Sequence, residues 1–138
     1  QGFGLEPTLH THYMKYGGVV NGIDYDVWNP EVDQHIPVCY GVGSIDRKYD
    51  NKRALRHRLM LADSDKPIVA FIGRLDPQKG LGLVRHAIFS TLEKGAQFVL
   101  RGSSPDQGIN ADFWGLKQML NESPDCHLRS VSTRIWPT

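Results

Sequence analysis

The sequence predicts an α/β fold built on a small parallel sheet. Three observations carry this. PIVAFIG (67–73) and QFVL (97–100) are continuous apolar runs of strand length, as in strands buried on both faces. Residues 80–94 and 109–121 carry apolar side chains at helical spacing. Strands alternating with helices argue for βαβ units and right-handed crossovers.

Leu5 and Leu9 are four apart, which allows a short helix near the start. Val19-Val20 is a strand-like pair, and Asn21-Gly22 is a turn signal because it tolerates positive φ. Residues 31–49 hold Pro37, Gly41 and Gly43 without apolar period and read as a loop or an extended connection. Asp50 suits a helix N-cap, with Ala54, Leu55, Leu59 and Leu61 on one face. That helix is expected to end near Ala62, where Asp63, Ser64 and Asp65 break it. RLDPQK (74–79) follows the first strand as a loop. The next helix uses Leu83, Val84, Ala87, Ile88 and Leu92, and Gly95 sits where a terminal glycine belongs. The second strand runs to Gly102 and the loop SSPDQG. Phe113, Leu116 and Leu120, with Trp114, mark the third helix's apolar side, and CHL (126–128) begins a third strand. Two or three parallel strands resemble half of a doubly wound domain more than a whole one.

The 138 residues fit one domain against a prior of about 150. Apolar residues are 40% of the chain, so most of it can fold around a core. The formal net charge of +1 removes the electrostatic case for nucleic-acid or polybasic membrane binding. No apolar run approaches the roughly 20 residues of a membrane-spanning helix. Cys39 and Cys126 have neither redox nor zinc spacing and read as buried or half-buried thiols. The chain opens on Gln1 without a signal-peptide pattern, as expected if the true N-terminus was removed or if this is a piece of something longer.

In open α/β sheets, ligands bind beyond the carboxyl ends of the strands. The loop 73–80 is the richest there. Gly73 admits close backbone approach, and Arg74 and Lys79 place two cations at the mouth of the following helix, whose dipole favours an anion. Arg offers a planar fork and Lys a mobile point charge, a pair suited to a pyrophosphate leaving group. The alternative is a solvated basic loop. Spacing excludes a G-x-x-x-x-G-K-[ST] phosphate loop. Gly102-Ser103-Ser104-Pro105-Asp106 suits sugar hydroxyls, or is an ordinary turn. Asn21 and Asp24 suit a polyol, or form an Asx-turn that satisfies its own backbone. His10 and His12 lack a third metal ligand nearby, so no metal site is predicted. Asn121-Glu122-Ser123 fits the glycosylation triplet, a pattern frequent by chance.

NGIDYDVWNP (21–30), FIGRLDPQKG (71–80) and QFVLRGSSPD (97–106), in this order and spacing, resemble the glycogen/starch synthase family. HAIFSTLEKG (86–95) is similar to the plant or algal soluble starch synthases more than to the bacterial enzymes. The resemblance implies a GT-B glycosyltransferase, with this chain giving a partial Rossmann-like parallel sheet from its C-terminal domain. It implies transfer of glucose from ADP-glucose to the non-reducing end of an α-1,4-glucan with retention, without metal or other cofactor. By the same likeness, Arg74 and Lys79 are the catalytic cations that hold the ADP phosphates. Gly73, Gly102 and Ser103 complete the nucleotide-sugar site, and Asn21 and Asp24 lie near the cleft. ADP-glucose and α-1,4-glucan are the implied partners, with other starch synthases, in the plastid stroma.

The implied division is 1–30 for the end of the first domain and the crossover, 31–128 for half of the nucleotide-sugar domain, and 129–138 for an atypical tail. Against the family pattern, the Lys-x-Gly-Gly loop and the downstream donor-sugar glutamate are absent, RSVSTRIWPT (129–138) departs from it, and Arg101 stands where an apolar residue is usual. The segment alone is therefore expected to be inactive, since retaining transfer needs groups from both domains. The alternative is a non-catalytic nucleotide- or glucan-binding or scaffolding module derived from a starch synthase. A further alternative is a truncated product with no stable fold.

Overall fold

The computed structural model describes residues 3–120 and 122–130. Residues 131–138 of the tail lie outside them, as does Asn121 of the glycosylation-type triplet. The helices are α1 (Glu6–Thr11), α2 (Lys48–Leu59), α3 (Leu81–Glu93) and α4 (Gln107–Met119). The strands are β1 (Ile68–Arg74), β2 (Gln97–Ser103) and β3 (Cys126–Ser130). They form one parallel sheet in the order β1-β2-β3, so the predicted βαβ alternation is present.

Register explains which side chains are buried. Phe71, Leu100 and Leu128 stand in one row across the sheet, and Phe98 lies two residues before Leu100 on the same face. Against that face pack Val84 and Ile88 of α3 and Phe113 and Leu116 of α4. Each such fully buried side chain contributes about 1.5–3 kcal/mol of transfer free energy. The two helices therefore cover the same face. Gly95, at φ +72, ends α3 as its position predicts, because only glycine takes that backbone without strain.

The opposite face is covered only near its base, by α2. Its upper part, Ile72 beside Arg101 beside Arg129, is exposed. This corrects the expectation that the first strand is buried on both faces. β1 lies at the sheet edge, and Val69 and Ile72 are 41% and 77% exposed. Only β2 has the uniformly buried start that the apolar run predicts. Leu55, Leu83 and Trp114 also point outward, so those helices bury narrower faces than the spacing suggests.

Further differences are local. Helix α2 begins at Lys48, entered directly from a 3₁₀ turn over Val42–Arg47, so Asp50 is not its N-cap. Asp50 sits in the first turn, where the helix dipole favours it, and pairs with Arg53. Helix α4 begins at Gln107, two residues early, because Asp106 caps it by accepting from the Gly108 and Ile109 N–H groups at 2.7 and 3.3 Å. β3 runs past Leu128 through Arg129 and Ser130.

Residues 3–28 are exposed throughout. Val19 and Val20, at 99% and 92% exposure, form no strand, because among the described residues no segment pairs with them. The turn falls at residues 25–27 instead of Asn21-Gly22 and is closed by the Trp28 N–H donating to the Asp24 carbonyl at 2.8 Å. Residues 31–47 are tied down by Asn51 of α2. Its side chain accepts from the Val38 N–H at 3.0 Å and donates to the Val38 carbonyl at 2.7 Å.

Candidate functional site

The loop after β1 is built around Leu75, which is fully buried in the core. Its N–H donates to the Ser103 carbonyl at 2.8 Å, continuing the β1–β2 ladder one residue past the strand. Asp76 then caps a 3₁₀ turn (Pro77–Lys79) by accepting from the Gln78 N–H at 2.9 Å. Gly80 follows at φ +66 and leads into α3. Backbone and acid are thus satisfied within the loop, and the cations are left over.

Arg74 and Lys79 flank the Leu75 anchor, and both are exposed. Among the described residues neither forms an ion pair. No side chain caps the first turn of α3; the Leu83 N–H donates to the Gly80 carbonyl at 2.8 Å, and the Leu81 and Gly82 N–H groups before it have no side-chain acceptor. Two uncommitted cations beside an uncapped helix start favour an anion with several oxygens.

Gly73 and Gly102 are register partners, as are Arg74 and Ser103, so four sequence-predicted residues share the carboxyl edge of β1 and β2. The two glycines differ. A Cβ on Gly102 would meet the Gly73 carbonyl oxygen at 2.4 Å and Leu75 Cγ at 3.1 Å, so packing requires glycine there. A Cβ on Gly73 would meet only Phe71 Cζ at 3.9 Å, and no contact within the described residues requires glycine at that position.

Two polar groups of the second loop serve the turn. The Ser104 hydroxyl is buried and accepts from the Asp106 N–H at 3.2 Å, and the Asp106 carboxylate is the α4 cap. Asn21 and Asp24 are not brought to this edge by any hydrogen bond. The Asp24 carboxylate accepts from the Asp26 N–H at 3.0 Å, the self-satisfied Asx-turn among the two readings.

Sequence reasoning missed a second cluster, at the amino ends of the strands. Arg56 of α2 is 3% exposed, and its Nε donates to Gln97 Oε1 at 2.7 Å while its Nη2 donates to the Lys66 carbonyl. Gln97 Nε2 donates to the Ala62 carbonyl at 2.8 Å and to Asp125 Oδ1 at 3.0 Å. Lys66 closes the set on Asp125 Oδ2. The Lys66 ammonium, then the Gln97 amide, hold the Asp125 carboxyl below its ordinary range. No spacing rule exposes a contact between residues 56 and 97. The signal available was Gln97 itself, a polar residue opening an apolar run.

Both cysteines are free and half-buried, as expected, and burial pushes the Cys126 thiol up to about 11, far from a reactive thiolate. Burial lowers the His127 pKa, against a hydrogen bond to the Leu59 backbone. A groove of about 610 Å³ opens between α2 and the edge of β1, lined by Tyr40, Tyr49, Leu55, Ile68 and Ala70 among others. None of the sequence-predicted site residues lines it. No helix among the described residues is long and apolar enough to cross a membrane.

No family model matches the chain. Relatives do. It is 70% identical over 128 residues to glycogen synthase 2 of Methylococcus capsulatus, covering 93% of this chain and 26% of that protein. It is 59% identical over 128 residues to glycogen synthase 1 of Nitrosococcus oceani, with the same coverage. Among solved structures it matches the catalytic domain of starch synthase IV from Arabidopsis thaliana bound to ADP and acarbose. The TM-score is 0.82 and the identity 42%, over 98% of this chain and 27% of that one. These bacterial relatives give no support to a plastid location. The chain spans about a quarter of the length of the curated relatives it matches. It is homologous to a segment of the glycogen/starch synthases, and over the described residues its sheet region runs β–α–β–α–β.

Proposed function

We propose that this segment supplies the nucleotide-sugar side of a GT-B cleft. In that reading the parent enzyme transfers glucose from ADP-glucose to the non-reducing end of an α-1,4-glucan with retention. The observation that carries it is the pair Arg74 and Lys79, uncommitted and exposed on either side of a buried anchor at the start of α3. A neighbouring fold solved with ADP and acarbose supports the same ligand classes. As the bond from the anomeric carbon to the diphosphate breaks, negative charge grows on the leaving oxygens. Arg74 meets them with a planar fork and Lys79 with a point charge. An acceptor hydroxyl forms the new glycosidic bond and gives its proton to the leaving diphosphate, and ADP departs. No step here calls on a metal. Gly73 leaves room for the phosphates, and Gly102 and Ser103 set the neighbouring edge. Asn21 and Asp24 are assigned to the cleft by resemblance, and Asp24 would have to share its carboxylate with the Asp26 N–H.

The test is a graft. Residues 1–127 replace the matching quarter of glycogen synthase 2 of Methylococcus capsulatus, and glucose transfer from ADP-glucose is measured. An active graft that loses transfer in Arg74→Ala and Lys79→Ala supports the reading. An active graft indifferent to both substitutions overturns it. An inactive graft, with an isolated chain whose melting temperature rises with ADP, favours the non-catalytic binding module. A plastid location rests on the plant likeness alone, and a transit peptide encoded upstream of Gln1 in the transcript is the observation that decides it.

A further inference from the structure

We propose that Asn110 is a positioning residue for the nucleotide site, acting through the loop between β2 and α4. The assignment rests on the diphosphate reading above. Ser104 is 2% exposed yet lies in a loop, so its backbone groups need internal partners. Asn110, in the second turn of α4, provides both. Its Nδ2 donates to the Ser104 carbonyl at 2.7 Å, and its Oδ1 accepts from the Ser104 N–H at 3.0 Å. The side-chain amide thereby replaces the strand partner that this residue lacks. A side-chain amide can donate to the carbonyl and accept from the N–H of one residue at once, whereas an ionised carboxylate can only accept.

The connection to the cations is short. Ser104 follows Ser103, whose carbonyl receives the Leu75 N–H at 2.8 Å, and Leu75 follows Arg74. Ser103 and Arg74 are also register partners. The loop bearing the cations therefore hangs on a loop that Asn110 clasps. The clasp is itself fixed, because the Asn110 N–H donates to the Asp106 carbonyl at 3.2 Å. Asn110 sits behind the loop and acts on ligand only through the backbone it holds.

The experiment uses the 138-residue chain with Asn110→Ala and the isosteric Asn110→Asp. The aspartate keeps an acceptor for the Ser104 N–H but turns an oxygen toward the Ser104 carbonyl. Amide hydrogen exchange and ADP titration are followed by NMR at a temperature where each variant is fully folded. In both variants the Ser104 and Leu75 amides exchange about tenfold faster, with Ile88 and Phe98 amides unchanged. ADP affinity falls about tenfold, the equivalent of roughly one hydrogen bond. Unchanged ADP affinity despite faster exchange means that Asn110 is structural only, and the proposal falls. Unchanged exchange overturns it too. A wild-type chain that takes up no ADP overturns this assignment, with the graft deciding the diphosphate reading separately, and binding by wild type and variants alike likewise removes the assignment alone.

Discussion

The two ends of the sheet use the same kinds of side chain in opposite ways. At the amino ends, Arg56, Lys66, Gln97 and Asp125 satisfy one another, and the guanidinium of Arg56 is buried. At the carboxyl ends, backbone groups and Asp76 satisfy one another, and Arg74 and Lys79 project without partners. Charge placed where water is excluded must be matched, and losing one member costs stability. Charge left over on a rigid, internally satisfied loop costs little and remains available to a ligand. The difference teaches where to look for function in this chain: at the edge where cations lack partners and are still held in place.

Five substitutions sharpen or break that contrast. In the graft, Arg74→Ala should lower the transfer rate by about a hundredfold or more, while the urea midpoint of the isolated chain stays put. A large midpoint shift would mean that Arg74 is structural and the contrast fails. At the other end, Gln97→Ala removes the acceptor of a buried guanidinium and should cost about 3 kcal/mol in urea unfolding. ADP affinity of the folded fraction should not change.

Gly102→Ala forces a Cβ toward the Gly73 carbonyl and should cost about 2 kcal/mol. Gly73→Ala, with open space, should stay within about 0.5 kcal/mol. Equal costs would remove the argument that only one of these glycines is needed for packing. Asp125→Asn should cost about 1 kcal/mol at neutral pH, as for a partly exposed pair. Because the folded carboxyl titrates below its unfolded value of about 3.9, its contribution is complete above that value. It is lost as pH falls through the folded pKa. Thermal melts between pH 5 and pH 2 should therefore fall less steeply in the variant than in the wild type.

Much of the fold was legible because its signals are local. Val84, Ile88 and Gly95 mark α3 by spacing and by one terminal glycine, and the structure keeps all three roles. The positions of Arg74 and Lys79 at a strand end followed from the apolar run before them. What spacing could not supply was coverage. PIVAFIG reads as a doubly buried strand, yet burial depends on what lies beside it, and β1 is an edge. Nothing local marks Arg56 for burial, which is explained by partners 10 and 41 positions away. Asn110 reads as an ordinary helical asparagine until the buried carbonyl of Ser104 is seen. Asp106, an acid directly before the helix it caps, and Gln97, a polar residue opening an apolar run, were misses with a local signal.

The anchor Leu75 separates two kinds of damage. Its buried side chain fixes the course of the chain, while its neighbour Arg74 and the more distant Lys79 are exposed. A screen that scores cellular abundance would flag substitutions of the leucine and pass those of either cation. A screen that scores polymer made would flag all three. Read together, the two screens would sort this one short loop into scaffold and tool, residue by residue.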